Sequence, residues 1–208
     1  MPRATQAIIG ANVVVFLLQL SSVSMDTSLT VLFALWPLVP DPAAYYGPGV
    51  GFAPWQVVTY GFLHGGYTHI FFNMFGIYMF GSVLEQFFGT RYYVTLYFVS
   101  VVTAGLTQLV VNALLGSPYP TLGASGGLFG LLLAFAMYFP QQRLALILVP
   151  VPVPARVFVA GYAVIELVLG VTGTQAGVAH FAHLGGLLGA FVMLQLRRGK
   201  PPFGGRRR

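Results

Sequence analysis

The chain has 208 residues, of which 57% are hydrophobic and only 7% charged, against about a quarter charged in ordinary soluble domains. That balance excludes a water-soluble globule and indicates one polytopic membrane domain, because too little polar sequence remains to coat a surface in water. The absence of cysteine excludes disulfides, thiolate-bound zinc and a cysteine nucleophile. The formal charge of +6 does not point to nucleic acid, since six of the ten basic residues fall in the last twelve positions, beyond the final apolar run. A lipid-facing tail accounts for them.

In chain order, apolar runs predict six membrane-spanning helices near residues 7–24, 67–87, 92–115, 124–139, 155–171 and 178–196. The first has only Arg3 before it and no small-residue cleavage site after it, so it reads as a mature helix. Residues 25–66 hold Trp36, Tyr45, Tyr46, Phe52, Trp55, Tyr60 and Phe62 among prolines and glycines. Such a segment is expected along the outer interface, as an anchor or in substrate handling. Pro150 to Pro154 is expected to be an extended link.

Lys and Arg test the topology independently of hydropathy. Arg3 precedes span 1, Arg91 separates spans 2 and 3, and Arg143 and Arg156 flank the loop between spans 4 and 5. Arg197, Arg198, Lys200, Arg206, Arg207 and Arg208 follow span 6, and the opposite loops contain neither residue type. Both termini are therefore expected to be cytoplasmic. The organisation predicted is one six-helix domain over residues 1–196, with a basic tail over 197–208.

A polar group at bilayer depth is costly and so is a functional candidate. His64, His69, Asn73, Ser125, Glu166, His180 and His183 could occupy spans or their outer ends. Ser125 lies in Gly123-Ala-Ser-Gly-Gly127 at the start of span 4. A serine there is more often a helix cap than a nucleophile. Span 6 runs in the same direction, so His183 should share its depth, and Gly185, Gly186 and Gly189 would let helices pack backbone to backbone. That is the geometry of a serine–histidine dyad; a glycine-rich seam with a histidine satisfied by a carbonyl explains the same residues. His69 and Asn73, four apart, leave one helical face as oxyanion donors or as hydrogen bonds between helices. His180 is an alternative base, and His64 reads as interfacial.

The third acid of a triad looks absent. Asp26 and Asp41 lie in the outer segment, while Glu85 falls about 24 Å down the helix from His69. Glu166 lies in span 5 at an unknown place around the bundle and reads as structural or gating. The expected machinery is a dyad.

These residues resemble the rhomboid family of intramembrane serine proteases. The resemblance rests on His69-x-x-x-Asn73, Gly123-Ala-Ser-Gly126 and Ala182-His183-Leu-Gly-Gly186, in that order on helices 2, 4 and 6, with Gly81-x-x-x-Glu85-x-x-x-Gly89-x-Arg91 as a structural brace. Two positions depart: Phe129 stands where a tyrosine is common, and Ala190 where a glycine is. The resemblance implies an all-α six-helix membrane bundle. Ser125 would attack a peptide carbonyl, His183 serve as base and then acid, and His69, Asn73 and the Ser125 amide hold the oxyanion. It further implies substrates that are transmembrane proteins entering from the lipid bilayer, with no cofactor and no metal. The expected location is a prokaryotic plasma membrane. Competing readings are a catalytically inactive rhomboid-like protein that binds membrane clients, and a small transporter using the histidines and Glu166 for protons.

Overall fold

The computed structural model describes residues 1–38, 40–145, 151–173 and 179–197. The first helix, α1, runs over Arg3–Ser21, three residues short of the predicted end. Ser22 ends it: its backbone is extended, and its side chain accepts the Met25 amide (3.1 Å) to start α2 at Val23–Phe33. A serine cap with Asp26 in the first turn is a local signal for a new helix. The outer segment continues through two short helices, α3 at Ala43–Tyr46 and α4 at Gln56–Thr59, and a 3₁₀ turn at Tyr60–Phe62.

The second predicted span is one rod made of α5 at Tyr67–Gly76, a π turn at Ile77–Gly81 and α6 at Ser82–Phe88. Gly89, at φ +80°, then reverses the chain directly into α7, Thr90–Leu115. The remaining long helices are α8 at Ser125–Tyr138, α9 at Ala155–Thr172 and α10 at His180–Arg197. A two-residue antiparallel ribbon joins α8 to α9, pairing Arg143 with Pro154 and Leu144 with Val153. The expected proline-rich link is thus partly a strand; Pro150 lies outside the described residues, as do Arg198, Lys200 and Arg206 to Arg208 of the expected tail.

Helix α7 is the centre of the bundle, packed against α8 and α10, with Tyr93, Leu96, Tyr97, Ser100 and Ala104 among its buried residues. Its neighbours are held close by small residues: Gly127 of α8 lies against Tyr97 and Gly130 against Ser100, leaving no space for a Cβ. The outward faces are apolar. Val14 and Leu17 of α1, Val110 of α7 and Ile165 and Val168 of α9 are exposed, the pattern of a surface that meets hydrocarbon. Among the described residues, Arg3–Ser21, Thr90–Leu115 and Ala155–Thr172 are each long and apolar enough to cross a membrane. The protein is an integral membrane protein.

The polar end of the bundle is built around Glu85. Its carboxylate accepts the amides of Ala4 (3.0 Å) and Thr5 (2.8 Å) and the hydroxyls of Thr5 (2.8 Å) and Thr90 (2.9 Å). The free amides of an α1 that begins after Pro2 have no acceptor in their own helix, and a buried carboxylate supplies one while favouring the positive end of the helix. Arg3, Arg91 and Arg197 collect at this end, where Arg197 lies 3.8 Å from the ring centroid of Tyr92. Glu85→Ala is expected to destabilise the fold by roughly 3 kcal/mol, since four donors lose a charged acceptor. The melting temperature in detergent should fall.

Candidate active site

At the opposite end, the outer segment holds the loop that carries Ser125. Leu35 and Thr121 exchange two backbone hydrogen bonds of 2.9 Å, and the Gly123 amide donates to the Tyr60 carbonyl at 2.9 Å. Tyr60 is fixed in turn by its hydroxyl on the Val101 carbonyl (2.7 Å), and Gln56 accepts the amides of Trp36 and Ala53. Trp36 and Tyr60 are buried, whereas Tyr45 and Trp55 remain exposed. The segment therefore positions the loop before α8.

Gly123 has a φ of +126°, and a Cβ there would come within 2.7 Å of the His69 ring. Only glycine serves both demands. Ser125 follows as the first residue of α8, where its amide has no acceptor within the helix. It is half-buried, and so is His69; His183 and Asn73 are buried.

Helix α10 reaches Ser125 through its glycines. Gly186 sits against the backbone carbonyl of Gly126, while Gly185 and Gly189 accommodate Thr107 and Thr103 of α7. One turn before Gly186, His183 points its Nε2 at Ser125 Oγ, 2.8 Å away. Its ring stacks on Phe129 at 4.2 Å and 6° between planes, and Phe129 stacks in turn on Tyr162. The departure from tyrosine at 129 thus keeps the aromatic face. Ala190, the other departure, is fully buried in the seam.

Glu166, whose place around the bundle the sequence left open, lies beside His183. Glu166 Oε2 lies 2.9 Å from His183 Nδ1 and 2.7 Å from His180 Nδ1, with all three residues buried. The His180 contact is a directed hydrogen bond, whereas the His183 contact has the distance of one but not the direction. Sequence places Glu166 at a depth; its azimuth comes from packing, because Gly170, one turn on, leaves room for His180 and Phe181 of α10. His180 is accordingly committed to Glu166 rather than to Ser125.

His69 has its tautomer set by its own loop. The Gly65 amide donates to His69 Nδ1 at 3.3 Å, so the ring proton belongs on Nε2, which lies against Gly123 beside Ser125 Oγ. Gly76, three residues after Asn73, meets Leu128, three residues after Ser125, and this places Asn73 level with the serine. One Asn73 amide hydrogen goes to the His69 carbonyl (2.9 Å), and Oδ1 is buried without a partner. His64, expected at the interface, is buried: its ring packs edge-on against His69 at 5.0 Å, and Gln19 accepts its amide at 3.0 Å. Burial, then the neighbouring His69, lower its pKa to about 4, so it is a neutral buttress at ordinary pH. Gln19 belongs to a buried stripe with Thr5 and Asn12 on α1; their seven-residue spacing was the available sequence signal.

Glu166, His180 and His183 offer three ligand-type atoms within 4.8 Å of one another, a cluster able to hold a metal ion. In this structure the carboxylate oxygen bridges the two rings.

The rhomboid domain matches residues 52–199, and the chain belongs to the rhomboid family. It is 32% identical over 140 residues to Rhomboid protein 1, mitochondrial, of Saccharomyces cerevisiae, covering 63% of this chain and 38% of that protein. It is 28% identical over 138 residues to Rhomboid protease GluP of Bacillus subtilis, covering 66% and 25%. Rhomboid-like protein 16, chloroplastic, of Arabidopsis thaliana is 27% identical over 210 residues, covering 92% and 64%. The chain thus spans between a quarter and about two thirds of the length of these relatives. Their names divide among mitochondrial, chloroplastic and bacterial proteins and give the expected prokaryotic plasma membrane no particular support.

Proposed function

We propose that the protein is an intramembrane serine endopeptidase that cleaves membrane proteins in or near their transmembrane segments. The observation that carries this reading is the 2.8 Å contact between His183 Nε2 and Ser125 Oγ, within a site set among helices. In the proposed reaction Ser125 Oγ attacks the peptide carbonyl as His183 Nε2 takes its proton, forming a tetrahedral intermediate. His69 Nε2–H, the free Asn73 amide hydrogen and the Ser125 amide stabilise its oxyanion. His183 then protonates the leaving amine, and a water activated by the same ring hydrolyses the acyl-enzyme. No cofactor takes part.

The half-buried Ser125 and His69 support access from the outer end. Six spans are proposed: α1, the α5–α6 rod, α7, α8, α9 and α10. Helix α8 has 14 residues, about 21 Å, and crosses only as an inner element, its ends extended by loops packed in the protein. Gathering Arg3, Arg91 and Arg197 at one end supports cytoplasmic termini, with residues 1–196 forming the domain and 197–208 its basic tail.

The test is cleavage of a model transmembrane substrate by purified protein in detergent and in lipid, with Ser125→Ala and His183→Ala as comparisons. Cleavage by wild type and its loss in both folded variants is expected. A folded wild type that cleaves none of several substrates would instead favour an inactive client-binding protein.

A further inference from the structure

We infer that Glu166 is a positioning residue for the base, so that Ser125, His183 and Glu166 act as a triad whose carboxylate is shared with His180. The inference rests on the serine-protease reading above. A histidine that accepts a proton at Nε2 must carry its other proton at Nδ1. In this protein the atom facing His183 Nδ1 is a carboxylate oxygen, 2.9 Å away, with Ser125 Oγ at 2.8 Å from the opposite nitrogen. An anionic acceptor there favours the Nδ1–H tautomer and balances the imidazolium charge that appears when Ser125 gives up its proton.

The carboxylate is itself held in place. His180 Nδ1 hydrogen-bonds the same Oε2 at 2.7 Å, and the close approach of α9 to α10 at Gly170 keeps Glu166 on the side of the two rings. Phe129 holds the other degree of freedom, the plane of the His183 ring. The contact to His183 is not aligned in the resting arrangement, which is common before substrate binds and tightens in the reacting complex. A structural ion pair between α9 and α10 would use the same residues, and the two roles differ in what they do to kcat and to the tautomer.

The experiment compares wild type, Glu166→Gln, Glu166→Asp and Ser125→Ala in detergent. It reads kcat and KM on a transmembrane substrate, the rate at which a fluorophosphonate labels Ser125, and ¹⁵N NMR signals of the imidazole nitrogens. Glu166→Gln should lower kcat by about 10- to 10³-fold, with KM within about threefold. Phosphonate labelling should slow by a similar factor, and the His183 nitrogens should shift toward a mixed tautomer. Glu166→Asp, which keeps the charge, should retain more of both rates and serves if the glutamine variant does not fold.

Unchanged kcat, labelling and tautomer in a folded Glu166→Gln overturn the inference while leaving the serine–histidine reading intact. A wild type that neither cleaves nor labels, like Ser125→Ala, removes that reading and the inference with it. Activity lost to a chelator and restored by zinc would also overturn it, by making the Glu166, His180 and His183 cluster a metal site.

Discussion

Replacing His183 with alanine is expected to lower kcat by about 10³-fold or more and to leave KM little changed. In the proposed reaction the ring receives the serine proton through a 2.8 Å contact, while His180 is turned onto Glu166 and His69 Nδ1 already accepts the Gly65 amide. Groups that act as a unit lose their effects together. The double variant Ser125→Ala with His183→Ala should therefore be no slower than Ser125→Ala alone. Single-turnover cleavage measured for the three variants checks this; additive losses would mean that serine and histidine do not share a step.

The second large effect is expected at Gly186. A Cβ on this residue would overlap the carbonyl of Gly126, the residue directly after the proposed nucleophile. Backbone cannot yield as a flexible side chain does, so α10 must move away from α8 and carry His183 with it. Gly186→Val should destabilise the fold by about 3 kcal/mol or more, and displacing the base by about 1 Å should cost roughly a further 10²-fold in rate. Gly161→Ala is the control: nothing lies within 4 Å of a Cβ there, and alanine in a helix stabilises by about 0.5–1 kcal/mol over glycine. Melting temperatures and kcat of the two variants separate a packing constraint from a general intolerance of side chains on the α9 and α10 helices.

The tyrosine-to-phenylalanine departure at position 129 shows how a local change is judged by its neighbours. The phenyl ring still stacks on His183 and against Tyr162, so the contact that sets the plane of the His183 ring depends on the aromatic face and not on a hydroxyl.

The sequence by itself determined the membrane setting, the helix order and the shared depth of Ser125 and His183. Those properties follow from local causes: apolar length against bilayer thickness, arginine placement, and the direction in which successive helices run. The small residues of Gly123 to Gly127 and Gly185 to Gly189 likewise announced close packing before the partners were known. The break at Ser22 was not read, because the apolar run predicted over 7–24 passes through it; the cap that ends α1 is a local signal that hydropathy alone overlooks.

Only the tertiary structure decided which way each helix faces. Glu166 and His183 are seventeen positions apart on different helices, and rotating α9 by less than half a turn would send the carboxylate to lipid without changing its depth. The packing of Gly170 against His180 and Phe181 selects the inward rotation. For the same reason the outer segment, readable from its aromatic residues as interfacial, acquired its second role only when Leu35 and Thr121 paired and Tyr60 met Gly123. Composition and periodicity report how deep a group lies; contacts between elements distant in sequence decide what it faces.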